Sequence, residues 1–422
     1  MATFHTNQKQ YNMHFKILSK RLRTEFNQAL SSFNPIKVVL FDKYIQSISK
    51  KDEINIYRYI KLISIFDKKL SDHLLSNYLF LKGNYIDSLK LVEDLLVSDQ
   101  KNTCLIYLRI KILLNLNNKQ QAFEILKNIP NFSKRKKTWL IWANIIDNPK
   151  DFEIFYSYWT KFNNSSNDLD LINYLVTACL RSKNYILAIK ELEKYWNFLQ
   201  CNYKKFVPKK NIKFKMNQEN SAIALSQLKK IFDSNNIEFF LISGTLLGCI
   251  RENKILDHDY DLDVGIWEQN NIDDIISNIK KIGTFEILPI RSSNVLRIRH
   301  ISNICIDIFI HKKVQNTIIH GGIKSIWKNS LFTLSPKKFL NNKYLIPSNY
   351  EKYLTENYGK DWRIPKYSFD SSIDTPNITI INNYEMIAYC YQKLFYNFMN
   401  NNTTAVKLYL NQIRLYSEKA SL

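Results

Sequence analysis

Four aspartates occupy alternate positions in one short stretch of the chain, at residues 257, 259, 261 and 263. Asp261 and Asp263 lie in YDLDVGIW, whose alternation of polar and apolar residues predicts a β-strand over residues 260–267. Residues two apart on a strand project from the same face, so both carboxylates should point at one place. Paired carboxylates are ligands that Mg²⁺ or Mn²⁺ prefers, with phosphate oxygens and water completing the coordination.

A further acid occurs downstream in ICIDIFI, where Asp307 is the one charge in an apolar strand candidate. A lone buried acid is costly unless it is paired or ligated. If the two strands are neighbours, the three acids can share one or two metal ions. We therefore predict Asp261, Asp263 and Asp307 as metal ligands.

An anion site is predicted just upstream of these acids. Gly244 and Thr245 follow the apolar run IEFFLI, which predicts a strand, and precede LLGCIRE, which predicts the first turns of a helix. A strand, a tight turn and a helix N-terminus together present backbone N–H groups to an anion. We expect Gly244 and Thr245 to bind phosphate oxygens. The alternative, a solvated DHDYD loop that binds Ca²⁺ loosely, explains Asp257 but not Asp307.

Length and composition indicate a folded chain of two or three domains. Of the 422 residues, 45% are hydrophobic, which is enough for a large core. No apolar run approaches the ~18 residues of a membrane span, and the start lacks the apolar stretch of a secretory signal. We expect a cytoplasmic protein. The six cysteines are scattered without C-x-x-C pairs, which argues against structural zinc and a disulfide framework.

The formal net charge of +22 favours an anionic partner, unless it reflects only a chain-wide bias toward Lys, Asn and Ile. The basic residues are spread out, except for a run between Lys204 and Lys215. No stripe of interleaved basic and aromatic residues is present, so we predict no nucleic-acid binding. Peripheral contact with the inner face of an anionic membrane fits the charge better.

The chain divides into parts of different pattern. Residues 1–205 predict helix after helix, with a repeat in which Gly83-Asn84 corresponds to Asn117-Asn118, 34 residues later, and to Lys183-Asn184 after about two more periods. This spacing resembles tetratricopeptide-type repeats, whose concave face often binds a protein partner, although a purely structural extension is the alternative. Residues 206–381 predict an α+β domain with a mixed sheet. Residues 382–422 return to helix and are expected to pack on that domain.

The segment from Gly244 to Ile266 resembles the LicD/fukutin group within the nucleotidyltransferase fold. Further on, LRIRHISNICIDIF resembles the family's segment with the third acid, and YGKDWRIP resembles its Y-G-x-x-W-x-x-P ending. The similarity extends over about residues 220–380. Departures are His258 and Tyr260 among the acids, and Asn253 and Lys254 where glycines are usual. The matching positions of the first and last motifs are Gly244, Thr245, Leu246, Leu247, Gly248, Arg251, Asp259, Asp261, Asp263, Gly265, Tyr358, Gly359, Trp362 and Pro365.

The resemblance implies transfer of a phosphorylated small group, such as phosphocholine or ribitol phosphate, from a CDP-linked donor to a cell-surface or lipid-linked glycan. Mg²⁺ or Mn²⁺ would stabilise the leaving CMP. Arg251, Arg297 and Arg299 would grip the diphosphate. Asp307 or Asp259 would accept the proton of the attacking hydroxyl, with His300 a weaker candidate.

Two other functions remain open from the sequence. A conventional nucleotidyltransferase would place NMP on its acceptor and release pyrophosphate. A non-catalytic repeat scaffold would carry a degenerate transferase domain, although the intact acids count against it. Tyr358 and Trp362 are candidates either for packing around the site or for contact with a base.

Overall fold

The computed structural model describes residues 34–163, 167–202, 215–366 and 369–421. Its first part is all-helical, which confirms the predicted class of this half. The helices are α1 (Pro35–Lys50), α2 (Glu53–Phe66), α3 (Lys68–Leu81), α4 (Tyr85–Ser98), α5 (Thr103–Asn115), α6 (Lys119–Lys127), a 3₁₀ turn (Phe132–Lys134), α7 (Lys136–Asn144), α8 (Pro149–Asn163), α9 (Leu169–Arg181) and α10 (Tyr185–Cys201).

The aligned repeat positions form the same turn between paired helices. Gly83, Asn117 and Lys183 each adopt a left-handed conformation, with φ of 76°, 58° and 63°. In each case the next N–H donates to the carbonyl five residues back, which closes the preceding helix. Lys51 and Asn401 have the same left-handed conformation and the same hydrogen-bond pattern, although the sequence repeat does not include these two turns. A left-handed turn tolerates Asn and Lys as well as Gly, so no residue type marks it.

The second part is α+β, as predicted. Its elements are α11 (Gln218–Ser234), β1 (Phe239–Leu241), α12 (Ser243–Arg251), β2 (Asp261–Trp267), α13 (Ile272–Ile282), β3 (Phe285–Ile287), β4 (Val295–His300), β5 (Cys305–Val314), β6 (Thr317–Gly321), β7 (Ser325–Ser330), β8 (Leu334–Phe339), β9 (Asn342–Pro347), α14 (Tyr350–Tyr358) and β10 (Ile378–Ile380). Two helices, α15 (Asn383–Met399) and α16 (Thr403–Ala420), follow.

The strands form one mixed sheet within the described residues. Its order is β10-β7-β6-β5-β2-β1-β9-β8, and β4 pairs with β5 and with β3. The centre is β2 beside β5, which run parallel, with β1 antiparallel on the other side of β2. The first half of β5 pairs with β2 and β4, and its end pairs with β6. Strands β2 and β5 therefore each have hydrogen-bonded neighbours on both sides.

Helices α15 and α16 contact both parts of the molecule. Their apolar residues, such as Met386 and Leu394, belong to the same buried cluster as the helices of the first part. In the segment between α14 and β10, Asp370 accepts hydrogen bonds from the hydroxyls of Tyr389 and Tyr409 at 2.6 and 2.7 Å. The carboxy-terminal helices thus extend the helical core and are also bonded to the segment that leads into β10.

No helix in the four described ranges is long and apolar enough to cross a membrane. The basic run at Lys204, Lys205, Lys209, Lys210 and Lys213 lies outside the described residues. Lys215, at its end, lies 3.8 Å from the carboxylate of Asp257.

Candidate active site

The central strand pair brings the predicted acids together. In β2, Asp261 and Asp263 alternate with the buried Leu262 and Val264, so both carboxylates project from one face. The parallel register places Asp263 directly beside Asp307 of β5. Two acids distant in sequence are therefore neighbours across one strand pair, as the sequence pattern predicted.

Arg297 lies between two of these carboxylates. It pairs in register with Asp307, from the antiparallel strand β4. Its Nη2 donates to Oδ2 of Asp261 at 2.6 Å, and its Nε lies 2.9 Å from Oδ1 of Asp307. The Asp261 and Asp307 side chains are 24% and 16% exposed, so the ion pairs are only partly screened by solvent. Arg297, predicted to grip a diphosphate, is held here by the acids.

The acids carry more negative charge than Arg297 balances. Burial raises the pKa of Asp263 well above its usual value, and Asp261, Asp259 and Asp307 add to the rise. Burial and Asp261 raise the pKa of Asp259 to about 7. Burial also raises the pKa of Asp307 to about 7, with Arg297 opposing it. A cluster of this kind is stabilised by additional positive charge.

Thr245 positions Asp263 and does not face open space. Its side chain is fully buried, and its hydroxyl accepts the N–H of Asp263 at 2.7 Å. The N–H of Gly244 donates to the Asp263 carboxylate and lowers its pKa. The start of α12 therefore binds an anion, as expected of a helix N-terminus, and the anion in this structure is the protein's own aspartate.

Glycine is required at position 244 because a neighbouring side chain lies close to its Cα, and not because the backbone turns there. The tight turn between β1 and α12 falls at Ser243, whose φ is 48°, and Gly244 lies in the first turn of the helix. A Cβ at Gly244 would overlap the carboxylate of Asp259. Only glycine at this position lets Asp259 lie against the helix start.

A cleft of about 1810 Å³, open to solvent, lies over the acids of β2, and we call it the first cleft. Its lining includes Gly244, Asp259, Asp261 and Asp263. Tyr358 also lines it, and burial together with Asp263 and Asp259 raises the pKa of this phenol well above its usual value. The Tyr358 hydroxyl therefore stays protonated and can donate to an anion in the cleft.

Trp362 and Arg251 form one wall of the first cleft. Trp362 is 3% exposed, and the guanidinium of Arg363 lies over its ring at 4.2 Å. Arg251 donates through Nη1 to the Trp362 carbonyl at 3.4 Å and through Nη2 to Glu252 at 2.9 Å. Trp362 is mostly packing, and Arg251 lines the cleft with both terminal nitrogens bonded within the protein.

Two predicted residues of β4 lie away from the first cleft. Arg299 donates to Glu286 at 2.6 Å, and Glu286 also accepts from Lys111 of α5. Arg299 therefore connects the sheet to the helical part. His300 projects from the opposite face of β4, is 1% exposed, and has its pKa lowered to about 3 by burial and by Lys51. The location of His300 fits an ordinary buried histidine and not the proton acceptor.

As they lie, the acids do not converge on one metal position: the described part of the chain contains no group of three or more such side chains arranged to hold an ion. The donor set nevertheless fits a divalent cation. Asp261 and Asp263 share a face, Oδ1 of Asp307 accepts no hydrogen bond in the described residues although Arg297 Nε lies 2.9 Å from it, and neighbouring carboxylates add to the burial that raises the pKa of Asp263. Three-carboxylate binding that includes Asp307 requires Arg297 to move.

Sequence reasoning missed an aromatic wall at one end of the first cleft. Phe309, two residues after Asp307 on the same face of β5, lines it together with His320 and Trp327. The His320 ring stacks on His311 at 4.3 Å and on Trp327 at 5.5 Å. The strand period could have indicated Phe309, whereas His320 and Trp327 depend on the sheet order.

Comparison with known proteins agrees with this geometry. Residues 236–349 match the family model for LicD/FKTN/FKRP, nucleotidyltransferase domain. The chain is 24% identical over 197 residues to ribitol-5-phosphate transferase FKTN of Macaca fascicularis and, at the same identity, of Homo sapiens, covering 43% of this chain and 43% of each relative. An uncharacterized protein of Rickettsia prowazekii is 28% identical over 178 residues, or 39% of this chain and 64% of that protein.

The chain thus spans less than half the length of the FKTN relatives that it matches. The matched segment nevertheless contains β1, α12, β2, β4 and β5, which carry the acids, Arg297 and the anion-binding helix start. The chain therefore carries a LicD/FKTN/FKRP nucleotidyltransferase domain at residues 236–349, preceded by an all-helical region.

Proposed function

We propose that this protein transfers a phosphorylated small group from a CDP-linked donor to a hydroxyl of a glycan, with release of CMP. Ribitol phosphate is the first candidate because the FKTN relatives are named for it, and phosphocholine is the second. The observation that carries the proposal is the register of Asp263 against Asp307, which places acids from two strands beside an anion-binding helix start. In the reaction the acceptor oxygen forms a bond to the β-phosphorus of the donor, and the bond from that phosphorus to CMP breaks.

Asp261, Asp263 and Asp307 are the residues that would hold Mg²⁺ or Mn²⁺, with Asp261 and Asp263 already on one face. A divalent ion there would neutralise the diphosphate and stabilise the leaving CMP. The first cleft is the proposed donor site: Gly244 allows close approach to the helix start, while Arg251 and the Tyr358 hydroxyl contact phosphate oxygens. Asp307, next to Asp263 but on β5, would accept the proton of the attacking hydroxyl.

The test is CMP release from CDP-ribitol, CDP-glycerol and CDP-choline, with Mg²⁺ or Mn²⁺ and with EDTA. Metal-dependent CMP from one donor, lost in Asp263→Asn, is the expected result. Asp274→Asn is the matched control, because Asp274 is exposed at the start of α13, away from the acids.

Other outcomes identify the other functions. Pyrophosphate release from a nucleoside triphosphate, with NMP transferred to the acceptor, would indicate a conventional nucleotidyltransferase. A protein that binds no CDP compound with metal present would be the non-catalytic scaffold. Binding is measured by calorimetry, so slow turnover without an acceptor does not obscure the result.

A further inference from the structure

A second cleft reaches Asp307 and Arg297 beside the first one, on the same face of the central strands. It has a volume of about 1090 Å³ and is lined by Asp307 and Arg297 at one end. Asp261 and Asp263 line the first cleft and are not among the residues of the second. The acid cluster therefore lies where two separate approaches meet, which is the arrangement that a two-substrate transfer requires.

The second cleft continues into the helical part of the molecule. A neighbouring cavity of about 710 Å³ shares Leu180, Ile290, Arg291 and Glu385 with it. Together the two cavities form one groove, which we call the interdomain groove. It begins at Asp307 and ends at the turn between α9 and α10, where Lys183 and Tyr185 line it.

Three parts of the chain form the walls of this groove, and hydrogen bonds connect them. Arg181 of α9 donates through Nε to the Ile146 carbonyl at 2.7 Å and through Nη1 to the Ile290 carbonyl at 3.5 Å. Arg291, which precedes β4, donates to Glu385 of α15 at 2.6 Å. Since each wall is bonded to the next, the groove is present before any ligand binds.

The lining has the chemistry of a site for a polyhydroxylated chain. Thr177, Ser292 and Gln392 supply neutral hydrogen-bonding groups, and Tyr185 supplies one aromatic face with a polar end, its other face being stacked on Tyr384. Among the cations that line it, Arg291 pairs with Glu385, Arg181 lies 3.6 Å from Asp147, and Lys324 donates to the Ser372 hydroxyl. Three carboxylates, those of Asp147, Asp307 and Glu385, also line the groove and would repel a polyanion such as a nucleic acid, so the groove favours a neutral or weakly charged polymer.

We propose that the interdomain groove binds an elongated glycan acceptor, with the reacting hydroxyl at Asp307 and the neighbouring sugars extending along the groove toward Tyr185. This inference rests on the proposed function and identifies the acceptor class for the same site. It also assigns a role to the helical part: α9 and α10 supply one wall of the acceptor site. A lone sugar would contact only the end of the groove near Asp307, whereas an oligosaccharide would contact both domains.

The test blocks the groove with one bulky side chain. Thr177 lies on α9 with its hydroxyl bonded to the carbonyl four residues earlier, and it lines the groove. Thr160 of α8 makes the same kind of bond and lies outside the groove. Thr177→Trp and Thr160→Trp are therefore a matched pair, and their thermal melts report whether either change disturbs folding.

The probes are an array of defined oligosaccharides and, for the glycan that binds, its series from one to six sugars. We expect affinity to rise with length in the wild type and in Thr160→Trp, and to fall about tenfold or more for the longest member in Thr177→Trp. CDP binding with Mg²⁺ is measured on the same three proteins and should persist in Thr177→Trp, because CDP is assigned to the first cleft.

Each remaining outcome decides between the two proposals. If no array glycan binds, if affinity is independent of length, or if Thr177→Trp binds as Thr160→Trp does, the groove is not the acceptor site. Failure of all three proteins to bind CDP would instead overturn the proposed function. A Thr177→Trp protein that does not fold is replaced by Gln392→Trp, on the exposed α15 side of the groove, with the same expected loss.

Discussion

Nη2 of Arg297 lies 2.6 Å from Oδ2 of Asp261, and this ion pair joins two strands that are not neighbours in the sheet. Strand β5 runs between them and places Asp307 against the same guanidinium. One cation therefore balances two carboxylates that were predicted to share a metal ion. This arrangement makes Arg297 and a divalent ion alternative sources of positive charge.

Removal of Arg297 should make folding stability depend on metal. In Arg297→Gln, Asp261 and Asp307 lose their cation, so the melting temperature should fall in EDTA and recover when Mg²⁺ is added. Arg299→Gln is the control, since Arg299 projects from the same strand but pairs with Glu286. Thermal melts with and without Mg²⁺ measure the melting temperatures of both variants. The interpretation fails if Mg²⁺ raises the melting temperature of the two variants equally.

A methyl group at Gly244 should reduce activity more than it reduces folding stability. The added Cβ would overlap the Asp259 carboxylate, so we expect Gly244→Ala to cost about 1–3 kcal/mol, as overpacking does, and to lower CMP release strongly. Adding Asp259→Ala should restore stability and leave activity low.

Gly322→Ala is the matched control for that change, because a Cβ at Gly322 meets nothing within 4 Å. Its unfolding free energy and its affinity for CDP should stay near those of the wild type. Equal destabilisation of the two alanine variants would show that the position of Asp259 is not what requires Gly244.

Thr245 should act on stability through its hydrogen bond to Asp263. Thr245→Val keeps the shape and removes the acceptor, which leaves the buried N–H of Asp263 unsatisfied at a cost of about 1–3 kcal/mol. Thr245→Ser keeps the acceptor and should retain more activity. Urea unfolding measures the stability of the Val and Ser variants, and CMP release measures their activity. A Val variant of normal stability with weakened donor binding would instead favour the direct phosphate contact that the sequence suggested.

The sequence sufficed for features that depend on local periodicity. The alternation in YDLDVGIW predicted the strand β2 and the shared face of Asp261 and Asp263, and the structure has both. The lone charge in ICIDIFI predicted a third acid near them, and β5 places Asp307 beside Asp263. These predictions succeed because a strand's period fixes the direction of its side chains without reference to other strands.

Features that depend on side-chain partners were not accessible from the sequence. Arg297 and Arg299 are two residues apart on β4, so their side chains project from the same face. Arg297 nevertheless pairs with the acids, whereas Arg299 pairs with Glu286 and so contacts the helical part. Thr245 fitted a phosphate-binding pattern, but its burial makes it a support for Asp263. Sheet order and domain packing decide both cases, and no local pattern encodes either.

The buried His311 should make the fold sensitive to mild acid. Its ring packs between Phe240 at 4.9 Å and His320 at 4.3 Å, and burial lowers its pKa to about 4 from 6.5. Between these values the unfolded chain binds a proton that the folded chain does not, so this residue's contribution to stability is lost as pH falls from 6.5 toward 4. The full effect is on the order of 3 kcal/mol.

The comparison of His311→Phe with the wild type removes that contribution, together with the part of the lowered His320 pKa that His311 causes. Asp259 and Asp307, whose raised pKa values act in the opposite direction, remain in both proteins. Phe keeps the ring stacking and removes the titrating group, at the loss of the hydrogen bond between His311 Nδ1 and the Phe309 carbonyl. Urea unfolding at pH 7 and at about pH 4.5 should therefore show a smaller loss of free energy in the variant, because protonation of the buried imidazole no longer opposes folding. Equal losses in the two proteins would mean that His311 takes up its proton without unfolding, through local opening of the aromatic stack.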